Sequence, residues 1–180
     1  MSGRRRAAGR PWLAVLALAA GGGCAMPPGG AATQRAADAT LNPNIIKVIP
    51  FYGQNPFGTV GGGGKTNGFV IQALYLVAPT EKGEEGVFGD GIIHVSMFVI
   101  EPDGEGRTQR RLVREWLFDP EQARPYRTKK RYVGGYGYQL HCPWGDADVL
   151  GKRIEIEVSF ERRDGQVVRS RPRPFVVPRS

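Results

Sequence analysis

Three groups of side chains in this 180-residue chain are of types that do chemistry. The first is Gly61-Gly62-Gly63-Gly64-Lys65-Thr66, where glycines free the backbone amides to cradle a phosphate and a lysine adds charge. The spacing departs from the phosphate-binding loop, whose first glycine falls at Thr59 here, and no long helical pattern follows Thr66. The run reads as a surface loop. The second group is His94, His141 and Cys142, imidazole and thiol donors suited to zinc. His141 and Cys142 are adjacent, so in a strand they point to opposite faces and one ion cannot readily take both. The third is Asp146 and Asp148, with Asp119, Asp103 and Glu105 as further oxygen donors for calcium. Two acids flanking Ala147 are common in polar turns, and no pattern around them marks a cleft for paired carboxylates to act as acid and base. Ser96, Ser159 and Ser170 lack the glycine-flanked elbow of a nucleophile. The chain therefore reads as noncatalytic, with no metal and no cofactor.

The charge balance narrows the partners. The formal net charge is +8, but Arg4, Arg5, Arg6 and Arg10 precede Cys24 and no acidic residue does. Without those four, 21 basic side chains stand against 17 acidic ones, a net charge of +4. That excess is ordinary for a soluble surface and calls for no nucleic acid. Arg110-Arg111, Lys129-Lys130-Arg131 and Arg169, Arg171 and Arg173 are candidates for a patch that meets an anionic envelope polymer or lipid headgroups. Glu115, Glu155, Glu157 and Glu161 are available to neutralise parts of it, so solvated sheet edges are the simpler expectation, with Pro172 and Pro174 blunting the ladder.

The beginning of the chain has the order of an export signal. Basic residues Arg4 to Arg10 precede an apolar run from Trp12 to Ala20, followed by Gly21-Gly22-Gly23 and Cys24. The apolar run is shorter than the ~20 residues needed to cross a bilayer as a helix. Small residues before a cysteine are similar to a lipobox, which would make Cys24 the lipidated residue; Gly21 stands where leucine is usual, and simple secretion with cleavage between Gly23 and Ala39 is the alternative. Residues 1–24 are thus read as a signal peptide and 25–44 as a flexible tether spanning roughly 25 Å on average. Residues 45–180 are read as the folded domain. Attachment of an acyl chain gains about 0.8 kcal/mol per buried methylene, so lasting anchoring takes more than one chain.

Behind the tether, apolar alternation and turn signals predict β structure throughout. Eight strands are expected, at Ile45–Phe51, Phe69–Val77, Ile92–Ile100, Arg110–Phe118, Arg127–Val133, Tyr136–Cys142, Arg153–Phe160 and Gln166–Val177. In Arg153–Phe160, Ile154, Ile156, Val158 and Phe160 alternate with Arg153, Glu155, Glu157 and Ser159, predicting one dry and one wet face. Phe69, Ile71, Ala73, Tyr75 and Val77 share one face of their strand by the same rule. Asp164-Gly165 and the segment Glu101 to Gly106 predict hairpin turns. Asp119-Pro120-Glu121-Gln122 predicts a helical turn that Pro125 ends. The expected architecture is an all-β antiparallel two-sheet sandwich, immunoglobulin-like, with a small barrel as the alternative.

Arg114 to Pro120, Gly137 to Gly151 and Asp164 to Pro172 resemble segments of uncharacterised exported lipoproteins of planctomycete-type bacteria, a likeness running from Asn67 to Pro178. The resemblance implies an envelope β-sandwich and supplies no ligand or catalytic residue. The expectation for function is a noncatalytic binding or structural accessory module of the cell envelope, held at the membrane by a lipid anchor and meeting an envelope protein or polysaccharide. The alternative is a carbohydrate or cell-wall ligand module with exposed Tyr136, Tyr138 and Trp144 as stacking platforms.

Overall fold

A computed structural model of the chain describes residues 39–60, 64, 66–129 and 135–179. The leader, Cys24, most of the tether and Lys130-Arg131 lie outside the described residues, as does most of the glycine run.

The described residues form eleven strands: β1 (Leu41–Asn42), β2 (Lys47–Gly58), β3 (Gly68–Thr80), β4 (Gly83–Gly89), β5 (Gly91–Pro102), β6 (Thr108–Phe118), β7 (Arg127–Lys129), β8 (Tyr136–Pro143), β9 (Arg153–Arg162), β10 (Val167–Arg169) and β11 (Arg173–Val176). Among the described residues one α-helical turn, α1 (Pro120–Ala123), follows β6 and runs on through Pro125 as a 3-10 turn over Arg124–Tyr126, so Pro125 does not end it. The Asp119 carboxylate accepts the Glu121 and Gln122 amides at 2.9 and 2.8 Å, and Gln122 reaches back to the Asp119 amide at 3.1 Å. That reciprocal cap satisfies donors the first helical turn leaves open.

The first sheet is organised by β3. Strand β2 runs along one of its edges, while β4 and β8 share the other, β4 against Leu76–Thr80 and β8 against Gly68–Leu74. They meet at a bridge between Gly86 and Gly135. A Cβ on Gly135 would lie 2.3 Å from the Gly86 carbonyl oxygen, and its φ is +87°, so both space and backbone angle require glycine there. Strand β7 extends the sheet beyond β8, and β1 pairs in parallel with β4. Pairing therefore starts inside the segment read as tether. The strand pattern does not reveal β4, because Glu84, Glu85 and its glycines leave Phe88 as its one large fully buried side chain.

The second sheet has the order β6-β5-β9, with β10 and β11 sharing the far edge of β9. The single strand expected at Gln166–Val177 is interrupted at Ser170. There the Ser170 amide donates to the Val158 carbonyl at 2.8 Å and its hydroxyl accepts the Val158 amide at 3.2 Å. A side-chain oxygen thus replaces the backbone acceptor that the ladder loses. Both expected hairpins form: Gly165 has φ +81° in the β9–β10 turn, and Gly106 has φ +78° in the β5–β6 turn. The Asp103 carboxylate accepts the Glu105 and Arg107 amides, and the Arg107 amide hydrogen bond leads the influences that hold its carboxyl below the usual range.

The two sheets pack face to face as a sandwich. Ile154, Ile156, Val158 and Phe160 of β9 are fully buried, as their alternation predicts, against Leu74, Leu76, Phe88 and Leu140 of the first sheet. Burying each such side chain contributes about 1.5–3 kcal/mol before conformational entropy is subtracted. Ser159 lies on the outward side but is covered, opposite His94 in register. The assignment for β3 needs correction. A register shift between Ile71 and Leu74 turns the strand over, so Phe69 and Ile71 point into the main core and are followed by Leu74, Leu76 and Ala78. Ala73, Tyr75 and Val77 form a separate small cluster with Ile49 on the other face.

Candidate functional site

The aromatic residues expected to form an exposed platform are not exposed. Trp144 and Tyr138 retain 2% and 1% of their accessible surface, and Tyr136 is half-buried with its ring 5.0 Å from Phe88. The cause is the two-residue period of β8, which turns Tyr136, Tyr138, Leu140 and Cys142 inward while Gln139 and His141 point out. Trp144 continues that inward row and packs beside Phe57, ring centroids 6.1 Å apart. The Tyr138 hydroxyl accepts the Gly89 amide at 3.2 Å, and burial pushes its pKa up to about 12. Both residues serve the core.

The other candidates are dispersed. Cys142 is fully buried with a free thiol, which burial pushes far above its usual range, and His141 stacks on Tyr126 at the surface. His94 lies on the outer face of the second sheet, Nε2 3.1 Å from Glu161 and Nδ1 3.7 Å from Glu115. Asp146 is exposed, while Asp148 pairs with Lys152 at 2.8 Å. Among the described residues no three His, Cys, Asp or Glu side chains converge on a metal position.

A different region has the form of a site. Strand β2 keeps regular pairing with β3 up to Phe51, then shifts register on both sides of Tyr52 and rejoins at Phe57. Gly53-Gln54-Asn55-Pro56 bulges from the sheet edge as a result. Gln72 packs against the bulge, where a Cβ on Gly53 would come within 2.4 Å of its side-chain nitrogen. On one side of the bulge, β2 and Arg171–Phe175 enclose a groove of about 840 Å3. On the other, Asn55, Gln72 and Gln139 contribute to a smaller, amide-rich hollow of about 390 Å3.

The groove floor is aromatic and its rim is basic. The Tyr52 ring meets Phe175 edge-on at 5.0 Å, and Phe57 meets Phe175 at 5.7 Å, closing the seam between the sheets. Burial is the main reason the Tyr52 hydroxyl titrates well above the tyrosine range, with Arg173 pulling the other way. Phe51 is 43% exposed. Arg171 and Arg173 are exposed, and among the described residues no carboxylate lies within ion-pair distance of either.

The ladder also determines what the rim offers. The Val177 amide donates to the Lys152 carbonyl at 3.0 Å, and Arg173 and Phe175 keep that register with Ile156 and Ile154. By antiparallel alternation, residues 172, 174 and 176 turn their backbone to the free edge. Two of them are Pro172 and Pro174, which have no amide hydrogen to give. This rim presents side chains and leaves little backbone for another strand to pair with, as the prolines led us to expect.

Sequence reasoning did not select Phe51, Gln54, Arg171 or Arg173 as a group. The signals were the break in β-pattern at Gly53–Pro56 and the prolines flanking Arg173, but their meeting depends on sandwich topology. The groove contains no evident nucleophile and is suited to holding a ligand. Compared with protein-family models, with curated proteins and with solved structures, the chain matches none.

Proposed function

We propose that this protein is a noncatalytic binding or accessory module of the bacterial cell envelope, exported by its leader and held at the membrane through a lipid on Cys24. The carrying observation is the groove between β2 and Arg171–Phe175, where exposed side chains offer contact area and unpaired charge without a reactive group. The order of basic flank, short apolar run, small residues and Cys24 supports export. The carbohydrate reading transfers from Tyr138 and Trp144, which are buried, to the aromatic and basic residues of this groove.

Membrane fractionation of wild type and Cys24→Ser, with the mass of the mature chain measured, tests the placement. The expected result is a processed, membrane-bound wild type carrying the added mass of lipid, with Cys24→Ser released or unprocessed. Full-length chain in the cytosol overturns the envelope assignment, and a processed soluble wild type overturns the anchor.

A further inference from the structure

We infer that the groove between β2 and Arg171–Phe175 binds an acidic polysaccharide, with Arg171 and Arg173 pairing to its carboxylates and Phe51 packing on a sugar face. The inference rests on the binding-module reading and adds the ligand class and the residues.

Three observations carry it. The first is charge. Arg110, Arg111 and Arg169 each meet a glutamate, at 2.7, 3.0 and 2.9 Å, whereas Arg171 and Arg173 meet none among the described residues. A guanidinium in that state keeps its planar fork of donors for a carboxylate from outside. The second is the apolar surface. Phe51, 43% exposed on β2, is among the residues lining the groove; its ring meets Tyr75 edge-on at 5.6 Å, and its exposed part is the apolar surface offered to the C–H face of a sugar ring. Gln54 in the adjoining bulge lines the groove with an amide that both donates and accepts, as hydroxyl groups require. The third separates a glycan from an extended peptide. A peptide captured by strand addition draws its affinity from main-chain hydrogen bonds. Pro172 and Pro174 take those donors away on the Arg171–Phe175 wall of the groove, while among the described strands β2 pairs with β3 alone, so polyglutamate is the probe that tests strand addition on the opposite wall.

The test is calorimetric titration of the full chain with polygalacturonate, dextran and polyglutamate. Polygalacturonate is expected to bind and to weaken as salt is added, while dextran and polyglutamate bind much more weakly. The double variant Arg171→Gln/Arg173→Gln should lose about tenfold or more in affinity, as removal of charge-assisted hydrogen bonds implies. Phe51→Ala should lose several-fold. Arg114→Gln removes an exposed arginine elsewhere, on β6, and should leave affinity unchanged. Circular dichroism and thermal melts of each variant establish that it is folded before binding is compared.

Full affinity in the double variant overturns the site. An equal loss with Arg114→Gln overturns it too, showing diffuse attraction of a polyanion. Dextran binding as well as polygalacturonate overturns the role of charge, and polyglutamate binding as well makes the ligand a peptide. These outcomes leave the fractionation result untouched, so the groove and the envelope placement fail separately.

Discussion

Arg169 and Arg171 are two residues apart and sit in opposite electrostatic situations. On the outer face of the second sheet, Glu157 lies between Arg169 at 2.9 Å and Arg110 at 2.7 Å, and Arg110 also reaches Glu155 at 2.7 Å. The Arg110 guanidinium is further held 3.5 Å over the Phe98 ring. Beyond the interruption at Ser170, Arg171 just before β11 and Arg173 at its start lie on the groove rim and meet no carboxylate among the described residues. The residue type is the same and the separation in sequence small. What differs is strand register: Glu155 and Glu157 alternate onto one face of β9, while the break at Ser170 moves the later arginines out of their reach. A basic run in a sequence is therefore two populations, one occupied with holding the sheet and one available.

The comparison is sharpened most strongly by Trp144→Ala. Trp144 packs in the core beside Phe57, and its truncation should cost about 3–5 kcal/mol by chemical denaturation. Where the variant remains folded, polygalacturonate affinity should persist, since the ring is not a platform; affinity lost from a folded Trp144→Ala protein would restore its contact role. A smaller effect is expected at the paired face. Glu157→Gln leaves Arg110 and Arg169 without their shared partner and should cost about 1 kcal/mol.

The pH dependence follows from the same group. Hydrogen bonding from Arg110, and then from Arg169, holds the Glu157 carboxyl below its ordinary value of 4.5. A lowered folded-state pKa contributes stability above the unfolded value, and that contribution is lost as pH falls through the folded one. Wild type should therefore lose stability on acidification below about pH 4.5, and Glu157→Gln should show a shallower decline. Parallel curves for the two proteins would remove Glu157 from the account.

The smallest expected change is at the rim. Arg171→Gln/Arg173→Gln should alter stability by less than about 0.5 kcal/mol, because no native ion pair is lost. A cost above about 1 kcal/mol would break the contrast between the two arginine populations.

The sandwich was legible where one physical signal dominated. Strict alternation identified the inward row of β9, glycine at positive φ identified two hairpins, and Asp119-Pro120 identified the helical turn. Alternation misled in β3, because one register shift between Ile71 and Leu74 exchanges the faces, and its mark in the sequence is a single polar residue, Gln72, in an otherwise apolar segment. Ring type alone suggests Tyr136, Tyr138 and Trp144 as a platform, whereas their even spacing with Leu140 and Cys142 marks one inward row. The groove was hidden for a different reason. Phe51 and Arg173 lie on strands of different sheets, and no local pattern says that these two edges face each other.

Cys142 has a further use. Its thiol is fully buried in β8 and burial holds it protonated far above neutral pH, so a reagent that attacks thiolate cannot reach it in the closed sandwich. Alkylation at this position must wait for the sheets to part. With reagent in excess and closing fast, the observed labelling rate is the intrinsic rate scaled by the fraction of time the barrier between the sheets is open. The native chain thus carries an intrinsic gauge of how much of it is open at any moment, readable by mass spectrometry without any added probe site.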